Sequence, residues 1–175
     1  MSSPEPFDDA LAENCGAQRA AVPVLFLDFD GVLHPVGEPA LDEDFRLIEN
    51  AGLFVWRPIL EGLLGQYPAV RIIVSSDWRR LFDDATLIRL LGPLGDRFLG
   101  VVESYGSCRS AEILAEVRRR RITHWLAVDD HPSVVAAQKE EHRFIACNAS
   151  TGLSEIAVQR KLNEMLSVFP ENVVG

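Results

Sequence analysis

Five short runs, apolar but for Arg71 in the second, punctuate the chain from residue 23 onward, at 24–27, 70–74, 98–102, 125–128 and 144–146. Continuous runs of this length mark strands buried on both faces, unlike the alternation of a half-exposed strand. Between them, residues 58–64, 85–91, 111–118 and 133–139 space their apolar positions three and four apart, the period of an amphipathic helix. A last such segment, 154–168, carries Ile156, Val158, Leu162, Met165 and Leu166, with Ser154 placed to cap it. The alternation predicts an α/β protein: a three-layer α/β/α, Rossmann-like sandwich around a mainly parallel five-stranded sheet. Residues 1–22 show no sustained period and read as a flexible tail, which leaves residues 23–170 as one domain.

Composition narrows the class without naming it. At 175 residues and 47% hydrophobic, the chain suffices for one full core, and it shows no internal repeat. A net charge of -9 does not favour nucleic acid as a partner, because such binding rests on Lys and Arg displacing counterions from phosphates. No run approaches the roughly 20 apolar residues of a membrane span. The first dozen residues are acidic rather than basic and then apolar, so neither a secretory signal nor a membrane partner is expected, and a cytoplasmic protein is. Cys15, Cys108 and Cys147 are too few and too scattered for a disulfide framework or a zinc ribbon, and read as free thiols, two of them buried.

In a parallel sheet the chemistry gathers beyond the carboxyl ends of the strands. The first run ends Leu27-Asp28-Phe29-Asp30-Gly31-Val32. Two carboxylates one residue apart leave a strand on the same side, with Gly31 allowing a sharp turn, and such a pair calls for a hard cation such as magnesium between them. The plain alternative is an Asp-Gly turn. The second run ends Val74-Ser75-Ser76-Asp77-Trp78-Arg79-Arg80, where a hydroxyl and the amides entering a helix suit a phosphate oxygen, or simply cap that helix. Here Ser75 is nearer the strand end than Ser76, Arg79 is the arginine better placed to reach the site, and Trp78 reads as packing. The fourth run ends Val128-Asp129-Asp130-His131-Pro132, acids again at the same edge.

Asp28-x-Asp30-Gly31-Val32, Ser75 and Asp129-Asp130, each after an apolar strand, resemble the first, second and fourth motifs of the haloacid dehalogenase (HAD) superfamily over about residues 24–148. The third motif there is a lysine at a helix start. No Lys lies between Asp30 and Asp129, and Arg109 in Cys108-Arg109-Ser110-Ala111-Glu112 is the natural stand-in. The set is similar throughout to a small subgroup, some of whose relatives are domains of RNA-repair proteins.

The resemblance implies a phosphatase. Asp28 is its nucleophile, Asp30 its general acid and base, Ser75 its phosphate ligand, and Arg109 the cation that offsets charge on the phosphorylated intermediate. Magnesium is held by Asp28, the Asp30 carbonyl and Asp129, with Asp130 a ligand through water or an orienting neighbour. Neither interval between motifs has room for a large cap domain. An open site suits a bulky phosphorylated substrate, a nucleic-acid end or a phosphoprotein; a small substrate would need a partner subunit, as in a homo-oligomer, to close over it. The acidic segment 38–49 opposes polyanions, and the run Arg118 to Arg121 reads as the solvated last turn of a helix. His34 and His131 flank the acidic motifs. Two rivals belong to other classes: a receiver-like signalling domain, which would place its acid pair after the first strand and a single phosphorylated Asp in the middle, where this chain has its lone nucleophile candidate first and its consecutive acids later, and a phosphate-binding module without turnover.

Overall fold

A computed structural model of the chain describes residues 21–170, apart from 38, 104, 105 and 107. The expected tail, with Cys15, therefore lies almost wholly outside the described residues. The strands are β1 (Val24–Leu27), β2 (Arg71–Val74), β3 (Phe98–Val101), β4 (Trp125–Asp129) and β5 (Phe144–Ala146). They form one all-parallel sheet in the order β3-β2-β1-β4-β5. The helices are α1 (Arg57–Leu64), α2 (Asp84–Leu91), α3 (Arg109–Arg120), α4 (Pro132–Ala137) and α5 (Ile156–Leu166). Among the described residues no large cap domain interrupts this α/β fold.

Alternate residues of the strands feed two separate cores, as a pleated sheet requires. Leu25, Leu27, Ile72, Val74, Leu126 and Val128 face α1, α2 and α5 through Leu60, Leu64, Leu87, Leu91, Leu162 and Leu166. Val24, Phe26, Ile73, Trp125 and Ala127 face α3 and α4 through Ile113 and Val134. Burial on both faces explains why these strands read as continuous apolar runs. At the β3 edge, a register shift between Ile72 and Ile73 coincides with Gly100 at φ 133, a bulge that a side chain would strain.

Local chemistry sets several boundaries. Asp83 caps α2 by accepting from the Thr86 amide at 2.9 Å. The expected Ser154 cap is not formed: Ser154 ends a short 3-10 turn and donates its hydroxyl to the Thr151 carbonyl, and Glu155 precedes α5. The arginine run is only partly solvated. Arg119 and Arg120 both donate to the buried Glu116, and Arg120 also reaches the carbonyls of Leu99 and Val101, tying α3 to the sheet edge. Arg121 takes the left-handed position that ends α3. Of the two described cysteines only Cys147 is buried; both are free thiols. Among the described residues, no helix is long and apolar enough to cross a membrane.

Candidate active site

Strand register assembles the site. Leu27 is paired with Val74 on one side and with Val128 on the other, so the residues that follow, Ser75, Asp28 and Asp129, stand abreast at the carboxyl edge. Backbone bonds extend the ladder past the strands: the Ser75 amide donates to Leu27 at 2.9 Å, and the Asp28 amide to Val128 at 3.2 Å. All three side chains are buried.

Asp28, Asp129 and Asp130 each offer an oxygen, and the three oxygens lie within 4.8 Å of one another. Burial foremost, and then the Asp129 charge, pushes Asp28 well above the usual carboxylate range against the pull of Arg109. Asp130 is raised for the same two reasons, in the same order. A turn keeps the cluster compact. Gly31, at φ 69, donates its amide to the His34 carbonyl at 2.8 Å, and Leu33 donates to Phe29 at 2.8 Å. The missing side chain is needed there, because a Cβ on Gly31 would stand 2.1 Å from Asp130 Oδ2.

Arg109, in the first turn of α3, is nearly buried and supplies the opposing charge. Its Nη1 lies 2.9 Å from Asp129 Oδ2 and 3.4 Å from Asp28 Oδ1, while Nη2 lies 3.2 Å from Asp77. Burial works to lower its pKa, but Asp129, Asp28 and Asp77 outweigh it, so the guanidinium stays charged. Ser75 Oγ points to Asp129 Oδ2 at 3.5 Å, whereas Ser76 Oγ accepts from the Trp78 amide and caps the 3-10 turn Asp77–Arg80.

Arg79 is placed differently from what its neighbourhood in sequence suggested. Arg79 does not extend into the cluster; it turns under the loop, donating to the carbonyls of Ser75, Ser76 and Val102 and to Glu112 Oε2 at 2.8 Å. Its polar contacts hold the loop that presents Ser75. His131 caps α4 through Nδ1, which accepts from the Ser133 amide, and its own amide donates to Asp129 Oδ1 at 2.9 Å.

The carboxylate of Asp30 stands apart from the acidic cluster. Its Oδ2 accepts from Trp78 Nε1 at 2.7 Å, and its Oδ1 lies 2.9 Å from His34 Nε2. In the sequence Trp78 carries only the marks of a packing residue. No local signal marks a bond spanning 48 residues. An apolar cavity of about 450 Å³, lined by Val22, Tyr67, Val70 and Phe169 among others, lies at the opposite edge of the sheet and contains none of these acids.

Residues 24–158 match the family model described as "HAD domain in Swiss Army Knife RNA repair proteins". Comparisons with curated proteins and with solved structures give no match.

Proposed function

The chain belongs to the family of HAD domains in Swiss Army Knife RNA repair proteins, and from that premise we propose that it is a magnesium-dependent phosphomonoesterase working through an aspartyl-phosphate on Asp28. Support comes above all from one observation, the register that brings Asp28, Ser75 and Asp129 abreast with Asp130 in reach. A phosphatase-type hydrolase is what the family suggests; the metal, the intermediate and the substrate are our reading.

The donor set suits magnesium. It is all oxygen, and of its three carboxylates Asp28 and Asp129 share Arg109, which also pairs with Asp77, so the cluster keeps an excess of negative charge that a divalent cation offsets. Burial and then the charge of Asp129 raise Asp28 and Asp130, as expected of acids awaiting a cation. Asp28, Asp129 and Asp130 would hold the ion, with the Asp30 carbonyl as a further donor. When bound it would neutralise phosphoryl charge.

In the first step a carboxylate oxygen of Asp28 attacks phosphorus in line, the bond from phosphorus to the leaving oxygen breaks, and that oxygen takes the proton of the Asp30 carboxyl. In the second, water attacks phosphorus and gives a proton to Asp30. The bond from phosphorus to Asp28 breaks, releasing phosphate and restoring both acids. Ser75 donates its hydroxyl to a phosphoryl oxygen, and Arg109 offsets charge on the phosphorylated state.

Within this reading, a nucleic-acid end is a second substrate class, favoured by the RNA repair named in the family description and by the lack of a large cap among the described residues. The charge of -9 and the engagement of Arg119 and Arg120 with Glu116 weigh against it. A panel of nucleotides, sugar phosphates, phosphopeptides and 3′- or 5′-phosphorylated oligonucleotides, assayed with and without magnesium, tests both. Turnover confined to oligonucleotide ends selects the repair reading; turnover of small esters only eliminates it. Absence of magnesium-dependent release from every member rejects the enzyme in favour of a phosphate-binding module.

A further inference from the structure

We propose that Trp78 and His34 are positioning residues for the leaving-group step, clamping the Asp30 carboxyl from both sides; this rests on the phosphomonoesterase reading above. Trp78 Nε1 donates to Oδ2 at 2.7 Å and His34 Nε2 meets Oδ1 at 2.9 Å, so each oxygen of Asp30 is held by a different element of the fold. The His34 tautomer follows from its other nitrogen. Nδ1 accepts from the Phe54 amide at 3.4 Å, which leaves the ring proton on Nε2, facing Asp30.

Both clamps are rigid. Trp78 is 1% exposed and sits edge-on to Phe29 and Phe54, and His34 is 3% exposed with its ring against Phe54 and Trp78. His34 is further fixed by its own carbonyl, which accepts from Gly31 at the turn carrying Asp30. Asp30 itself keeps about a quarter of its side chain open, 27%, so the held carboxyl still meets the exterior.

A buried indole N–H needs some acceptor, and a backbone carbonyl would satisfy it. Here the acceptor is the acid two residues beyond the nucleophile. An indole donates and never accepts, and each carboxylate oxygen has two lone pairs, so the bond fixes the plane of the carboxyl while leaving a site on the same oxygen for the proton it transfers. Holding an acid within hydrogen-bond reach of a leaving oxygen is what makes it effective, and the need grows with the basicity of that oxygen.

The test compares wild type, Trp78→Phe and His34→Leu on two esters with magnesium: p-nitrophenyl phosphate, whose leaving group departs without a proton, and a simple alkyl phosphate, whose leaving group requires one. Loss of a clamp lowers kcat/KM on the alkyl ester by roughly 10- to 100-fold, the worth of a hydrogen bond to a charged group. On the aryl ester kcat/KM, which reports only the steps up to phosphoryl transfer onto Asp28 and not the later hydrolysis in which Asp30 takes a proton from water, changes by less than about threefold. Equal losses on both esters, or none on either, overturn the positioning role while leaving the phosphatase reading intact. A wild-type protein inert towards both esters removes the two together. Should Trp78→Phe melt below the assay temperature, the comparison is decided on His34→Leu, which leaves the indole in place.

Discussion

Gly31 and Asp130 share one small space: the position that a Cβ would take on Gly31 lies 2.1 Å from Asp130 Oδ2 and 3.1 Å from the Cα of Ala149. Glycine is therefore required twice, by its φ of 69 and by the carboxylate seated against it. The Gly31→Ala substitution would displace Asp130 from the cluster. Calorimetric titration with magnesium should show affinity weakened about tenfold or more, the usual cost of disturbing groups around a metal site. Unchanged affinity would place Asp130 outside the metal set.

Asp28 should carry a stability cost that depends on pH. Its pKa in the fold lies well above the ordinary 3.8, so between those two values the folded state keeps a proton that the unfolded chain has released. Stability from this group therefore falls as pH rises through that window, and the cost is complete above it. Without divalent ions, Asp28→Asn should melt higher than wild type at neutral pH, by about 2–4 °C for each kcal/mol relieved. The gain should shrink as pH falls toward 3.8 and narrow when magnesium is added. A variant less stable than wild type at neutral pH would contradict this.

The sheet was legible because its strands are buried on both faces. Val24–Leu27 and Phe144–Ala146 coincide with their apolar runs to the residue, and the acids and hydroxyl that follow three of the strands mark the catalytic edge. Sequence shows that such residues end strands, but not the register that sets Ser75, Asp28 and Asp129 abreast. It also hides bonds between distant segments. Trp78 looks like any core aromatic until its indole is seen on Asp30, and Arg79 looks like a site cation until its guanidinium is found under the Ser75 loop. At Ser154 a local rule failed because the hydroxyl found the Thr151 carbonyl first, and the 3-10 turn moved the start of α5 two residues on.

Arg109 should not be replaceable by lysine without loss. Its fork spans Asp28, Asp129 and Asp77, whereas an ammonium is a single point charge. Arg109→Lys should lower kcat about tenfold while keeping most of the stability. Arg109→Met should cost about 3–5 kcal/mol in divalent-free denaturation, because buried carboxylates lose their partner, and magnesium should restore part of it. Full activity in the lysine variant would show that charge alone suffices.

Glu112 holds the arginines in place. Nearly buried on α3, it accepts from Arg79 at 2.8 Å, from Arg80 at 3.1 Å and from the Gly106 amide at 2.9 Å. Glu112→Gln keeps the shape but removes the charge that compensates Arg79. Urea unfolding should reveal a loss of about 3 kcal/mol or more, and a change under about 0.5 kcal/mol, the level of an ordinary surface substitution, would mean that the network is dispensable.

The most direct test of the central claim is to catch the phosphoryl group on its nucleophile. The protein is mixed with magnesium and an aryl phosphate, quenched in acid within the first turnover, digested and read by mass spectrometry. Phosphate bound to the peptide carrying Asp28, and absent both without magnesium and in Asp28→Asn, is the predicted result. Hydrolysis that proceeds in Asp28→Asn, or a phosphoryl group found on another residue, would contradict the account.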